Sequence, residues 1–237
     1  MSKIRKMSLA NARLGRKLPM ILLLPSLWGL SGCLGAAADE TNANAVDSTQ
    51  QPLWGDTLLF GSTYFIQNGY SGWTGGYLDT RGPGCEGNLL CVSTATTPRR
   101  DSGSGSWTIV SPVGKAPGTP VLPGDDISLI NQYGARSYLD TRDSRCEGNL
   151  YCVSTAWSPN RDYGSGTWRV LPSSTTSGPI LEGQAVHLLN GYSNFGGGFL
   201  DTRGAGCEGN KYCVSTSALW NRNTEGTSDW RFRSSSL

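Results

Sequence analysis

Tyr77-Leu78-Asp79-Thr80-Arg81 returns as Tyr138-Leu139-Asp140-Thr141-Arg142 and again as Phe199-Leu200-Asp201-Thr202-Arg203, at an interval of 61 residues each time. Working outward, each copy is followed by the same block: Cys85-Glu86-Gly87-Asn88, Cys146-Glu147-Gly148-Asn149 and Cys207-Glu208-Gly209-Asn210. Cys-Val-Ser-Thr then starts at Cys91, Cys152 and Cys213, and a tryptophan closes each unit at Trp107, Trp168 and Trp230. Self-similarity at a fixed period marks a repeat architecture, in which one unit cannot bury its own apolar face and neighbours share a core. The repeats run over about 55–112, 124–172 and 183–234.

Each unit holds four short apolar stretches separated by turn formers. In the second they are Ile127-Ser128-Leu129-Ile130, Ser137-Tyr138-Leu139, Tyr151-Cys152-Val153-Ser154 and Thr167-Trp168-Arg169-Val170. Their length, β-branched and aromatic content, and Gly, Asn, Asp and Pro borders predict strands. No window carries a sustained helical stripe. The expectation is therefore an all-β domain over 54–237, a β-trefoil with pseudo-threefold symmetry and twelve strands, with a β-prism as the alternative.

The chain of 237 residues opens differently. Lys3, Arg5, Lys6, Arg13, Arg16 and Lys17 precede the apolar run Met20–Leu30, and no acid appears before Asp39. The run is signal-peptide length and well short of the ~20 residues that span a bilayer. Leu30-Ser31-Gly32-Cys33 after it resembles the lipobox of bacterial lipoproteins. That resemblance implies a signal peptide at 1–32, lipidation of Cys33, and export to the bacterial envelope with the lipid as the only membrane attachment. Leu34, rather than Asp, after the cysteine resembles outer-membrane sorting in Gram-negative lipoproteins. Residues 33–53, rich in Ala, Asn and Thr, suit a flexible tether. Removing the six leading basic residues takes the formal charge from +2 to −4, so nothing favours a nucleic-acid partner.

With Cys33 assigned to lipid, six of the seven cysteines remain, two per repeat with five residues between them. Pairing within each repeat, Cys85–Cys91, Cys146–Cys152 and Cys207–Cys213, is the simplest connectivity and suits an oxidising compartment. Structural zinc sites space their cysteines more closely, so no metal is expected. His187 is the only histidine and has no counterpart in the other repeats, which leaves no base for nucleophilic catalysis. Acids that recur threefold do not form the two unlike environments of an acid/base pair. No phosphate-binding glycine loop is present. The expected protein is not an enzyme, uses no cofactor and is a monomer.

The Leu-Asp element of the second strand, with a small residue-x-Trp near the unit's end, resembles the ricin-B-type (R-type) lectins, a β-trefoil family. The resemblance covers about 180 residues. In that family a Cys-Leu-Asp element begins the sugar site and Gln-x-Trp closes each repeat. It implies sugar-binding aspartates at Asp79, Asp140 and Asp201 and core-packing tryptophans at Trp107, Trp168 and Trp230. Here Gly105, Gly166 and Ser228 replace the glutamine, and Tyr77, Tyr138 and Phe199 replace the cysteine.

The residues themselves support a glycan or glycoconjugate ligand. Sugar recognition needs polar side chains that bridge hydroxyls and an aromatic face for the ring. The polar sets are Asp79, Arg81, Glu86 and Asn88; Asp140, Arg142, Glu147 and Asn149; and Asp201, Arg203, Glu208 and Asn210. Trp73, Tyr151 and Phe195 are the aromatic candidates, with Tyr70, Tyr133, Tyr192 and Tyr212 nearby. Three shallow sites on one body gain by multivalency on a polymer. Two other accounts stand beside this one. Asp-Thr-Arg is equally readable as structural turn chemistry, as are Arg100-Asp101, Asn160-Arg161-Asp162 and Asn221-Arg222. The chain also suits a protein-binding or protease-inhibitory trefoil acting through Ala116–Gly124 or Ser173–Gly183, or a structural envelope component.

Overall fold

The computed structural model describes residues 55–83, 88–144, 146, 149–205 and 210–235. The signal-peptide, tether and lipidation assignments, Cys33 included, lie outside the described residues. So do Cys85, Cys207, Glu86, Glu147 and Glu208.

Twelve strands are described, four per repeat. The first repeat holds β1 (Thr63–Asn68), β2 (Tyr77–Pro83), β3 (Leu90–Ala95) and β4 (Ser106–Val110). The second holds β5 (Asp126–Asn131), β6 (Tyr138–Ser144), β7 (Tyr151–Ala156) and β8 (Trp168–Pro172). The third holds β9 (Val186–Asn190), β10 (Phe199–Ala205), β11 (Tyr212–Ser217) and β12 (Trp230–Ser234).

Every ladder is antiparallel, and ten strands close into one circuit, β1-β2-β3-β11-β7-β6-β5-β8-β9-β12 and back to β1. The remaining two are tied into it, β4 between β1 and β5 and β10 between β9 and β11. The sequence reading of a β-trefoil, with hairpins capping a six-stranded wall, is corrected to this closed antiparallel barrel. The β-prism alternative, three separate sheets, falls with it. The reason lies in the hairpins: β2, β3, β6, β7 and β11 do not stand apart as caps, because Gln67↔Tyr77 and Ile130↔Tyr138 tie them to the wall and Cys91↔Ser154 and Cys213↔Ser93 tie them to one another. Closure satisfies strand edges that would otherwise be exposed.

Period-two alternation sends one residue of each repeat into each core position. Ile66, Leu129 and Leu188 are one such trio; Leu78, Leu139 and Leu200 are another, and Val92, Val153 and Val214 a third. Trp107, Trp168 and Trp230 are fully buried in the same cluster. Each indole N–H donates to a Leu carbonyl of its own repeat, Leu78 at 2.8 Å, Leu139 at 3.0 Å and Leu200 at 2.8 Å. Burying a tryptophan with its polar handle satisfied removes the main cost of placing it there. Cys146 and Cys152 are joined as expected, and Cys91 and Cys213 are also disulfide-bonded.

Candidate functional site

Asp79, Asp140 and Asp201 are the residues the sequence singles out most strongly, and all three side chains are fully buried. An ionised carboxylate in that position needs compensation from partners. Each receives an arginine from the turn after its hairpin. Arg100 Nη2 lies 2.6 Å from Asp79 Oδ1, Arg161 Nη2 2.6 Å from Asp140 Oδ1, and Arg222 Nη2 2.8 Å from Asp201 Oδ1. The same nitrogens donate to the carbonyls of Thr80, Thr141 and Thr202. The other carboxylate oxygen accepts from Ser104 Oγ at 2.8 Å, from Ser165 Oγ at 2.7 Å, and from both Thr227 and Ser228 in the third repeat. Burial pushes the carboxyls of Asp79 and Asp140 above their ordinary range; the arginine and serine bonds work against that shift. Every carboxylate oxygen is already engaged. The Asp-Thr-Arg aspartates thus act in the interior of their repeats.

The remaining repeated residues bind the repeats to one another in a ring. Asn88 Nδ2 donates to Ser154 Oγ at 2.7 Å, Asn149 to Ser215 at 2.8 Å and Asn210 to Ser93 at 2.7 Å. The same amides reach the aspartate of the next repeat: Asn88 that of Asp140, Asn149 that of Asp201 and Asn210 that of Asp79. The threonine of Cys-Val-Ser-Thr serves the same ring. Thr155 Oγ1 accepts from Leu90 N–H, Thr216 from Tyr151 and Thr94 from Tyr212.

Sequence reasoning missed three buried asparagines that complete this lattice, Asn68, Asn131 and Asn190. Each accepts from a threonine of a neighbouring repeat, as Thr80 to Asn131 at 3.0 Å, Thr141 to Asn190 at 2.9 Å and Thr202 to Asn68 at 3.0 Å. The signal was present as Asn-x-Tyr at 68–70, 131–133 and 190–192. A Cβ at Gly75 or Gly197 would overlap the Asn68 or Asn190 amide, which explains a glycine at each of these two positions before β2 and β10.

Outside these clasps a cleft opens where the third repeat meets the first. Between the third and first repeats, Tyr70 and Tyr212 stand edge-to-face with ring centroids 5.3 Å apart. They border a cleft of about 470 Å³ with Arg203, Arg222, Asn223 and Glu225. Arg203 Nη1 donates to the Cys146 carbonyl at 2.6 Å, which orients the side chain from the second repeat. Glu225 beside Tyr70 lifts that phenol above its ordinary range. Between the second and third repeats, Tyr151 and Tyr192 form an equivalent pair, also at 5.3 Å. In the first repeat Leu90 stands at the sequence position of Tyr151 and Tyr212.

The other aromatic candidates, Trp73 and Phe195, end one-turn segments at Tyr70–Trp73 and Tyr192–Phe195. Ser71, Trp73, Ser193, Asn194 and Phe195 all have positive φ there, a costly conformation for residues with a Cβ. Those turns lay the rings on arginines: Arg231 lies 4.2 Å from the Trp73 ring centre and Arg169 3.5 Å from that of Phe195. Among the sequence-derived site residues, the structure therefore brings Arg203 to a tyrosine-lined cleft and Tyr151 into a tyrosine pair. It places Asp79, Asp140, Asp201, Asn88, Asn149 and Asn210 in the lattice. Arg81 is half-buried and Arg142 buried. No group of His, Cys, Asp and Glu among the described residues is arranged to hold a metal ion.

No protein-family model and no curated protein sequence matches this chain. Neither comparison supports the ricin-B-type resemblance, and it is the closed-barrel topology described above that corrects it. Solved structures do share the fold. The SDF2-like protein of Arabidopsis thaliana matches with a TM-score of 0.60 at 16% identity, over 75% of this chain and 94% of that one. A Caenorhabditis elegans protein of unknown function matches with a TM-score of 0.59 at 17% identity, over 76% and 97%. The ligand-binding domain of botulinum neurotoxin serotype D, solved with N-acetylneuraminic acid, matches with a TM-score of 0.52 at 19% identity, over 75% of this chain and 42% of that one. At these identities the likeness is one of fold.

Proposed function

We propose that this protein binds glycans without transforming them, in the clefts between successive repeats. The observation that carries the reading is the Tyr70–Tyr212 pair beside Arg203, Arg222, Asn223 and Glu225. It joins an apolar ring face to convergent donors and acceptors, the combination a sugar needs. Tyr151 and Tyr192 form a second tyrosine pair between the second and third repeats. The buried Asp–Arg pairs serve these clefts from beneath, since Arg222 is held on Asp201 while lining the first of them. A neighbour in fold solved with N-acetylneuraminic acid supports the ligand class. The Met20–Leu30 run and Leu30-Ser31-Gly32-Cys33 support display on the bacterial envelope, lipid-anchored at the outer membrane.

A glycan array probed with the disulfide-intact chain tests the binding. Wild type is expected to retain at least one glycan class, and a Tyr151→Ala/Tyr212→Ala double variant to lose it. An array without signal, or a folded double variant that binds unchanged, overturns the proposal. The anchor is tested separately by feeding cells an alkyne fatty acid, which should label wild type and not Cys33→Ala.

A further inference from the structure

The outer face of the β1–β12 ladder carries a feature the glycan clefts do not use. Along this ladder Ile66 and Phe232 pair inward, while Phe65 faces Arg233 and Gln67 faces Arg231 on the opposite side. The two arginines are thus neighbours on one face, separated by a single inward residue. With Phe65, Gln67, Tyr77 and Arg99 they line a groove of about 490 Å³ that contains no acidic side chain. The aromatic pair Phe65–Tyr77 forms an edge-to-face unit within it, centroids 6.5 Å apart.

Arg231 is the decisive residue. Its counterpart in the second repeat, Arg169, is neutralised by Asp126, with Nε 2.8 Å from Oδ1. In the third repeat the place of Asp126 is taken by Ala185, so that acid is missing. Arg231 instead donates Nε to Gln67 Oε1 at 2.9 Å and lies over the Trp73 ring. Among the described residues no carboxylate pairs with it. Burial, and next the charge of Arg233, hold its guanidinium below the usual range. Glu182 lies near Arg233, where it also accepts from Ser234 N–H at 2.8 Å. A partly desolvated guanidinium kept beside a like charge costs stability, and an anion seated between the two would recover that cost.

The geometry points to an anion subsite at Arg231 and Arg233 that takes a sulfate or carboxylate group carried on a glycan chain. This rests on the glycan reading and deepens it by adding a charge requirement away from the tyrosine clefts. A second depression of about 810 Å³ adjoins the groove and shares Phe65, Pro98 and Arg99 with it, so a chain several sugars long can lie across both. Arg231 and Arg233, with Arg99 of the same groove donating to the Ser235 carbonyl, form a small cationic spot on a domain of net negative charge. Such a spot suits an isolated anionic substituent better than a continuous phosphodiester backbone.

The test measures binding of the full chain to immobilised dextran sulfate, polygalacturonate and unmodified dextran at physiological ionic strength. Arg231→Gln is expected to weaken binding to one of the acidic polymers about tenfold. Arg169→Gln, which removes an arginine already paired, is expected to change it less than twofold. Equal losses in the two variants, no loss in either, or equal competition by a single-stranded DNA oligonucleotide overturns the subsite. Tyr212→Ala separates the two readings. Acidic-polymer binding that survives Tyr212→Ala but not Arg231→Gln, alongside a silent glycan array, removes the cleft reading and keeps the arginine groove. The reverse pattern removes the groove alone.

Discussion

At Asp79–Arg100, Asp140–Arg161 and Asp201–Arg222 the three repeats are chemically interchangeable. Each has the same buried carboxylate, the same arginine reaching it from 21 residues on, and the same amide arriving from the preceding repeat. In the clefts just outside, the repeats part company. Two junctions hold a tyrosine pair and the third a leucine; one Arg has its aspartate and its counterpart has Ala185 in that place. Closing a barrel from three repeats requires each to grip the next in the same way, so the gripping residues cannot differ. Solvent-facing residues carry no such constraint and can diverge toward a ligand. Threefold sameness therefore marks what holds this molecule together, and departure from it marks where to look for binding.

The largest effects should fall on the equal region. Trp168→Ala removes a fully buried indole together with its bond to the Leu139 carbonyl and is expected to cost about 3–5 kcal/mol in urea denaturation. Trp107→Ala and Trp230→Ala should cost similar amounts, and a spread wider than about 2 kcal/mol among the three would break the equivalence drawn above. Arg161→Gln comes next. It leaves Asp140 buried with a serine and an asparagine but no cation, at a cost of about 2–3 kcal/mol at pH 7. That is below the value for a sealed pair, because the Arg161 side chain is 37% exposed. The pH dependence has a definite sign. Burial already raises the folded-state pKa of Asp140, so its charged form weakens the fold as pH rises past the unfolded value of about 4. Losing Arg161 raises that pKa further. The destabilisation should therefore grow between about pH 4 and neutrality and be smallest below pH 4. A penalty independent of pH would show that Asp140 does not depend on the arginine's charge.

Much of this is legible in the chain itself. The 61-residue period, the four strands per unit and the Cys146–Cys152 bridge all follow from local pattern, while the core placement of Trp107, Trp168 and Trp230 is implied only by the family resemblance. The direction in which Asp79, Asp140 and Asp201 point does not. Sugar sites and interior clasps use the same carboxylates and arginines, and repetition serves either purpose. What decides between them is the second partner, Arg100, Arg161 or Arg222, which in sequence stands out only as part of a separate turn. The closure of the barrel is hidden for a related reason. Asn210 grips Ser93 across 117 residues and Thr202 grips Asn68 across 134, and no local window contains both ends of such a bond.

The unequal region should respond in binding more than in stability. Tyr212→Ala is expected to weaken glycan binding about tenfold, in line with losing one aromatic face of a cleft, while the unfolding free energy in urea falls by no more than about 1.5 kcal/mol, the worth of its pair with Tyr70. A variant that unfolds would assign Tyr212 to the lattice, where its backbone N–H already belongs.

Leu90→Tyr should have the smallest effect and draws the comparison most sharply, because it adds sameness where the repeats differ. The position is half-buried, and its N–H is already held by Thr155 Oγ1, as those of Tyr151 and Tyr212 are held by their own threonines. The backbone is thus preset to present a tyrosine as the other two repeats do. A third site on the same body should raise affinity for a polymeric glycan about two- to tenfold through multivalency, while a new aromatic pair should change stability by no more than about 0.5–1.5 kcal/mol. Surface plasmon resonance on the immobilised polymer reads this directly. If Leu90→Tyr leaves binding unaltered although the chain folds normally, an aromatic pair at a junction is not sufficient for a cleft to bind. Arg203, Asn223 and Glu225, which the first repeat does not reproduce as a set, would then carry the recognition.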